Sequence, residues 1–234
     1  MNLMLPTTSL LVASFLGTSA MAQSAIDAEV AFDYISAPDD DFEYQVQLTG
    51  SVERRFGQFG VQSDLLIYQY EGKTNTINEI TLHAFYEVTP VLDVGLAYSL
   101  EGDSGESKKS FAYIEANYST GANAIEGFYG AYVGGEQETS YGIKYTRDFG
   151  VVGPFDGLEV FAGYNATENV VFNYTITNPY IGADFAVGNG FVITSRYASM
   201  NDGDYRYTTL GVTKTFGAGT TFSGRGYGNL FPGF

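Results

Sequence analysis

His83 is the single histidine of this chain and the side chain best suited to transfer a proton near neutral pH. A serine nucleophile needs such a base within hydrogen-bond reach. His83 lies in the middle of an alternating segment, on the same polar phase as Thr81 and Glu87, and no serine on the opposite phase matches it. This pattern favours a histidine on a polar wall. The sequence therefore predicts no enzymatic activity and no cofactor, and a lipid-modifying enzyme is the less favoured alternative.

Acidic side chains supply the other candidate chemistry. Asp and Glu outnumber Lys and Arg by 27 to 11, which gives a net charge of −16. This charge argues against nucleic-acid binding, because phosphates require basic patches. Two acidic clusters, Asp39-Asp40-Asp41 and Glu101-Gly102-Asp103, carry the hard oxygen ligands that suit Ca²⁺. Neither has EF-hand spacing, so solvated loops are the favoured interpretation and Ca²⁺ at these loops stays an alternative.

The first residues have the pattern of an export signal. An apolar core at residues 10–16 precedes the small-residue stretch Ala20-Met21-Ala22, although Lys and Arg are absent before the core. This order predicts a signal peptide at residues 1–22, cleaved before Gln23. The chain has no cysteine, so disulfides cannot stabilise the exported part. Residues 23–234 are expected to form a single domain.

Period-2 alternation recurs from Ile26 to about Tyr227, while helical spacing is nearly absent. Between Ile26 and Tyr34, apolar residues alternate with Asp27, Glu29 and Asp33. The same pattern predicts strands with one apolar and one polar face along most of the chain. After residue 22 no stretch approaches the ~18 apolar residues of a transmembrane helix. The predicted fold class is therefore all-β.

The connections between the predicted strands fall into two alternating sets. Short turns are predicted at residues 89–90, 119–121, 188–190 and 217–219, and longer polar loops at residues 38–41, 71–78, 101–109 and 165–178. Short turns at one end and long loops at the other are typical of a transmembrane antiparallel up-and-down β-barrel. We count about thirteen candidate strands, but bacterial single-chain barrels use even numbers. We expect about 12 strands, within a range of 10 to 14; either residues 219–227 are not a full strand or residues 170–177 form an extra one.

Outward-facing aromatic residues are sorted toward the two ends of the predicted strands. This arrangement matches the aromatic girdles at the two membrane interfaces. Arg147 and Lys214 share the outward phase at strand ends, where their charges are expected to reach the interface. The residues toward the loop end are Tyr34, Tyr44, Tyr98, Tyr141 and Tyr164, and those toward the turn end are Tyr86, Tyr118, Phe149, Phe185 and Phe216.

The succession of hairpins, such as the one at residues 180–191, and the terminal Phe234 resemble the Gram-negative porins. The likeness covers residues 23–230 and is greatest for the small alphaproteobacterial porin-like proteins. It implies export through the periplasm into the bacterial outer membrane, contact with its lipid and lipopolysaccharide, and insertion by the barrel assembly machinery. A homotrimer is a further alternative that it implies. Pro232-Gly233 interrupts the alternation before Phe234, so residues 210–216 are an alternative assembly signal.

Under this resemblance, the charged residues on the inward phase would line a pore. Acids on early strands and bases on later ones would set a field across the lumen, and fixed charges of this kind select ions. The hypothesis is a weakly cation-preferring channel for ions and small hydrophilic solutes. A non-conducting barrel that acts through its loops is the alternative, with residues 165–178 as an inward-folding plug or a binding surface. The predicted pore-lining residues are Glu43, Asp64, Glu79, His83, Glu115, Glu126, Lys144, Arg196 and Arg225.

Overall fold

The computed structural model describes residues 26–38, 44–71, 76–103, 109–134, 138–170, 172–201 and 204–223, and over these residues it is a closed barrel of twelve antiparallel strands. Each strand pairs with the next in sequence, and the last pairs with the first. This confirms the predicted up-and-down barrel. The predicted signal peptide lies outside the described residues. The strands are β1 (Ile26–Ser36), β2 (Tyr44–Phe56), β3 (Phe59–Tyr70), β4 (Ile77–Thr89), β5 (Leu92–Asp103), β6 (Lys109–Thr120), β7 (Asn123–Tyr132), β8 (Glu138–Asp148), β9 (Gly157–Asn169), β10 (Tyr174–Gly188), β11 (Phe191–Met200) and β12 (Tyr205–Phe216).

The strands expose their apolar side chains and bury their polar ones, which is the reverse of the arrangement in a soluble protein. In β4, Leu82 is 57% exposed, whereas its neighbour His83 is 2% exposed. Other outward aliphatic side chains are similarly exposed, including Leu96 at 64% and Ile114 at 60%. A continuous apolar exterior marks a surface that contacts an apolar environment. Closure suits this environment, because hydrocarbon cannot pair the backbone groups of a sheet edge. No helix among the described residues is long and apolar enough to cross a membrane.

Aromatic rings form contacts near both ends of the exterior. Tyr34 and Tyr44 stack with their ring centroids 5.7 Å apart at the loop end, and Phe59 and Tyr86 meet edge to face at 5.0 Å at the turn end. The Lys214 ammonium lies 5.3 Å from the centre of the Phe216 ring, and the Arg147 guanidinium is 5.9 Å from that of Phe149. This placement agrees with the predicted girdles and with cations that reach the interface.

The predicted long loop at residues 165–178 is wrong. β9 continues to Asn169 and β10 begins at Tyr174, and these two residues pair at the end of the ladder. The Asn169 side chain accepts a hydrogen bond from the Phe172 backbone N–H at 2.9 Å, and Asn173 adopts a positive φ of 52°. A tight turn of asparagines therefore closes this hairpin. Since Asn and Thr occupy both faces here, the ladder continues without the alternation that marks a lipid-facing strand.

The strand pairing also decides between the two explanations offered for the thirteenth candidate strand. Residues 174–177 belong to β10, and residues 217–223 form no strand. β12 already has β11 on one side and β1 on the other, so no free edge is left for a thirteenth strand. Instead the chain leaves the wall after Phe216, through positive φ angles of 79° at Gly217 and 84° at Gly219. It then enters the barrel from the turn end.

Candidate functional site

The inner wall brings together most of the predicted pore-lining residues. Asp64, Glu79, His83, Glu115 and Glu126 are each at most 7% exposed, on strands whose other face is apolar. Lys144 and Arg196 lie on the same inner face and are partly buried. The two remaining predicted residues, at positions 43 and 225, lie outside the described residues.

His83 lies between two carboxylates. Its Nε2 is 2.7 Å from Oδ2 of Asp64, and its Nδ1 is 2.8 Å from Oε1 of Glu115. The second oxygen of Asp64 accepts a hydrogen bond from the side chain of Gln62 at 2.9 Å. Since ionised carboxylates only accept hydrogen bonds, the imidazolium, which donates from both nitrogens, satisfies both partners. The cluster joins β3, β4 and β6 on one side of the inner wall. Glu87, which the sequence placed beside His83, contacts Arg55 instead.

Arg55 organises a second cluster near the turn end, which the sequence analysis missed. Its Nε donates to Glu53 at 3.0 Å, and its two terminal nitrogens donate to both oxygens of Asp93 at 3.3 Å. Glu87 accepts a longer contact of 3.4 Å, and the guanidinium lies 4.9 Å from the centre of the Phe85 ring. Glu53 and Arg55 both occupy odd positions of β2, which are the inward positions of this strand. This shared phase is the sequence signal for their place in the lumen.

The inner wall mixes acids and bases, so the predicted separation into an acidic and a basic arc is wrong. Arg196 interacts electrostatically with Asp33 and Asp184. Asp184 and Glu159 belong to the later strands, where the sequence analysis had placed only bases, and both interact with Lys144. The bases are therefore neighbours of acids, and the excess negative charge is spread around the wall.

The segment after β12 lies inside the barrel and binds this wall through its backbone. Its consecutive N–H groups donate to side chains on several strands: Thr220 to Glu29 at 3.3 Å, Thr221 to Glu53 at 2.6 Å, Phe222 to Gln62 at 3.2 Å and Ser223 to Glu126 at 3.0 Å. Two of its carbonyl groups accept hydrogen bonds in return, that of Phe222 from Gln62 and that of Thr221 from Asn117, both at 2.7 Å. We call residues 220–223 the inner segment.

Side chains of the inner segment add further contacts. The Phe222 ring is 0% exposed and stacks on His83, with centroids 6.0 Å apart and an interplanar angle of 7°. The Ser223 hydroxyl donates to Glu126 at 2.7 Å and accepts from Lys144 at 3.2 Å. The inner segment could not be found from the sequence because its wall partners lie 79 to 191 residues away in the chain.

Aromatic side chains fill part of the lumen toward the loop end. One buried cluster includes Ile35, Phe161 and Tyr207, and a second includes Phe111 and Tyr113. An inward glycine lies under the Tyr113 ring, since a Cβ at Gly130 would overlap it. The interior is therefore narrower than its strand number implies.

The described residues hold no group of three or more His, Cys, Asp or Glu side chains arranged to bind a metal ion. The first acidic cluster that suggested Ca²⁺, at residues 39–41, lies outside the described residues. In the second, Glu101 is a strand residue of β5 that pairs with Lys109 of β6.

Comparison with known proteins gives the fold but no sequence family. No protein-family model matches the sequence, and no curated protein matches it. The structure is similar to that of the KdgM porin in complex with disordered oligogalacturonate, with a TM-score of 0.63 and 12% sequence identity over 81% of this chain and 99% of that one. The chain has the fold of an outer-membrane porin. A second similar structure is an outer-membrane channel from Pseudomonas putida F1, with a TM-score of 0.50 and 13% identity over 84% of this chain and 97% of that one.

This porin fold agrees with the exterior described above. A closed barrel with an apolar belt and aromatic girdles is the architecture of bacterial outer-membrane proteins. The predicted outer-membrane location is therefore confirmed at the level of the fold. At these low identities the similarity concerns the fold alone, so the solute must be inferred from the lumen of this chain.

Proposed function

We propose that this porin-fold barrel is a channel for ions and small hydrophilic solutes that prefers cations. The observation that carries the proposal is the excess of acids on the described inner wall. Rings and walls of fixed charge concentrate counter-ions and select ions in pores. The inner acids include Asp27, Glu29, Asp33, Glu53, Asp64, Glu79, Glu87, Asp93, Glu101, Glu115, Glu126, Glu138, Glu159 and Asp184, and the inner bases include Arg55, His83, Lys144 and Arg196.

The charge of this lumen favours a different solute class from the one seen with the similar structure. The KdgM porin was solved with oligogalacturonate, whose repeating carboxylates make it a polyanion. An acidic wall repels a polyanion, because like charges in a confined, low-dielectric space interact strongly. We therefore propose small cations and neutral polar molecules as the solutes of this barrel.

The reversal potential of the purified protein in a planar bilayer tests this proposal. Under a KCl gradient we expect a potential of the sign set by K⁺. The double variant Glu159→Gln, Asp184→Asn removes two inner charges that are paired on neighbouring strands, and we expect its potential to move toward zero. Glu168→Gln is the matched control, because Glu168 lies on the outer face, where the Tyr141 hydroxyl donates to it. An anion-directed potential, or no shift in the double variant, contradicts the preference for cations.

A non-conducting barrel is the second candidate function. The filled interior favours it, since the inner segment and the two aromatic clusters occupy the lumen. The two candidates differ in one observable. If no current steps appear for the wild type or for any variant that frees the inner segment, the channel proposal fails and the barrel acts through its surface.

We also propose that His83 takes no part in hydrolysis. A general base must have a free nitrogen to accept a proton from the nucleophile. Both nitrogens of His83 already contact carboxylates, at 2.7 and 2.8 Å. Fatty-acid release from phospholipid or lipopolysaccharide that is present in the wild type and lost in His83→Ala contradicts this proposal.

A further inference from the structure

We propose that the inner segment, residues 220–223, is a tethered blocker that closes the lumen by occupying the carboxylates on which permeating cations bind. The inference rests on the proposed channel function and adds its regulation. Its basis is the way in which the wall holds the inner segment through carboxylates.

The inner segment crosses the lumen. Its partners Glu29, Glu53 and Gln62 belong to the neighbouring strands β1, β2 and β3, whereas Glu126 belongs to β7. Five strands lie between β1 and β7 in either direction around the closed barrel, so these two strands face each other. A segment bound to both must span the space between them.

Three of the four backbone N–H groups of the inner segment donate to carboxylates. Glu29, Glu53 and Glu126 also receive its hydroxyl groups, at 3.5, 2.9 and 2.7 Å. Neutral N–H and O–H donors leave the full charge of each carboxylate in place, and a hard cation binds the same oxygen atoms. The inner segment and a cation therefore compete for these oxygens. A high cation concentration favours release of the inner segment, and the bound inner segment weakens cation binding.

Phe222 anchors the blocked state. Its ring is fully buried, stacks on His83 and meets Phe85 edge to face at a centroid distance of 5.4 Å. Gly217 and Gly219, both with positive φ, connect this anchor to the end of β12. Glycine permits many backbone conformations, so the inner segment can leave the lumen without moving the wall.

The test releases the inner segment without altering the wall. Phe222→Asp places a charge among acids and removes the ring, whereas Phe222→Leu is the matched control that keeps an apolar anchor. A second release variant, Thr221→Pro with Ser223→Pro, removes the N–H groups and hydroxyls that bind Glu53 and Glu126. The heat-dependent gel shift of the full chain confirms folding of each variant.

Two measurements are made on each variant. The first is the open-state occupancy in planar bilayers. We expect this occupancy to rise about tenfold or more in both release variants, which corresponds to about 1.4 kcal/mol. In Phe222→Leu we expect it to stay near the wild-type value. The second is the rate at which a water-soluble thiol reagent modifies Ser223→Cys, the only thiol in this cysteine-free chain. We expect Phe222→Asp to raise this rate, and CaCl₂ to raise it in the otherwise wild-type chain.

The outcomes separate the blocker from the channel. If the wild type and the release variants conduct equally, the blocker proposal is overturned and the channel proposal stands. If thiol modification accelerates while the current is unchanged, the inner segment docks without blocking, which also overturns it. If no variant conducts, the channel proposal fails and the blocker proposal fails with it.

Discussion

Replacing His83 with glutamine is expected to destabilise the barrel strongly. His83 separates two carboxylates that are 3% and 4% exposed, Asp64 and Glu115. Gln at this position supplies no positive charge, so two buried acids are left without their counter-ion. Removing one partner of a buried ion pair costs about 3–5 kcal/mol. With an m-value of about 2 kcal/mol/M, this loss lowers the urea midpoint of unfolding by roughly 1.5–2.5 M.

Urea unfolding of the barrel in liposomes, followed by the gel shift of unboiled samples, measures this loss. The triple variant Asp64→Asn, His83→Gln, Glu115→Gln is the control, because it replaces all three charges with amides that pair with one another. We expect its midpoint to lie between those of the wild type and His83→Gln. If His83→Gln unfolds at the wild-type urea concentration, the three side chains do not form a buried charged cluster and the description of the lumen is incorrect.

Three further predictions concern the wall, the lipid face and a turn. Arg55→Gln should raise cation conductance and accelerate the modification of Ser223→Cys. The reason is that the neutral glutamine removes the guanidinium that donates to the Thr221 hydroxyl at 2.6 Å. An unchanged current and an unchanged modification rate argue against this prediction. Leu96→Arg, on the exterior, should lose about 2–4 kcal/mol in liposomes, whereas Leu96→Ala should lose far less; equal urea midpoints for the two contradict a lipid-facing position. Gly190→Val should destabilise the β10–β11 hairpin by about 1–3 kcal/mol, because Gly190 has a φ of 73°, and an unchanged unfolding midpoint refutes this.

The sequence predicted the barrel well because lipid imposes a simple rule on each strand. Between Glu79 and Val88 of β4, the even positions are apolar and the odd positions are polar except for Phe85, and the structure exposes the even set and buries most of the odd set. The same rule assigned Asp64, Glu115 and Glu126 to the inner face. It failed at residues 165–178, where the hairpin carries polar residues on both faces and still forms a ladder.

Contacts within the lumen could not be predicted from periodicity. Alternation shows that His83 faces inward, but the height and angle at which β3, β4 and β6 place their side chains decide that Asp64 and Glu115 are its partners. The inner segment depends on long-range contacts still more, since Thr221 binds Glu53, 168 residues earlier in the chain. The alternation predicted to about Tyr227 left residues 219–227 as a candidate strand, whereas the described part of this stretch, residues 219–223, forms no strand and enters the lumen.

Alternate residues of each strand face lipid and an enclosed lumen, and fluorescence quenching tests this arrangement most directly. The chain has no tryptophan, so one introduced residue reports alone. Val212, which is 47% exposed, and Thr213 are neighbours on opposite faces of β12. In brominated-lipid vesicles we expect strong quenching of Val212→Trp and weak quenching of Thr213→Trp, which a water-soluble quencher should reach instead. Equal quenching of the two by brominated lipid contradicts the account.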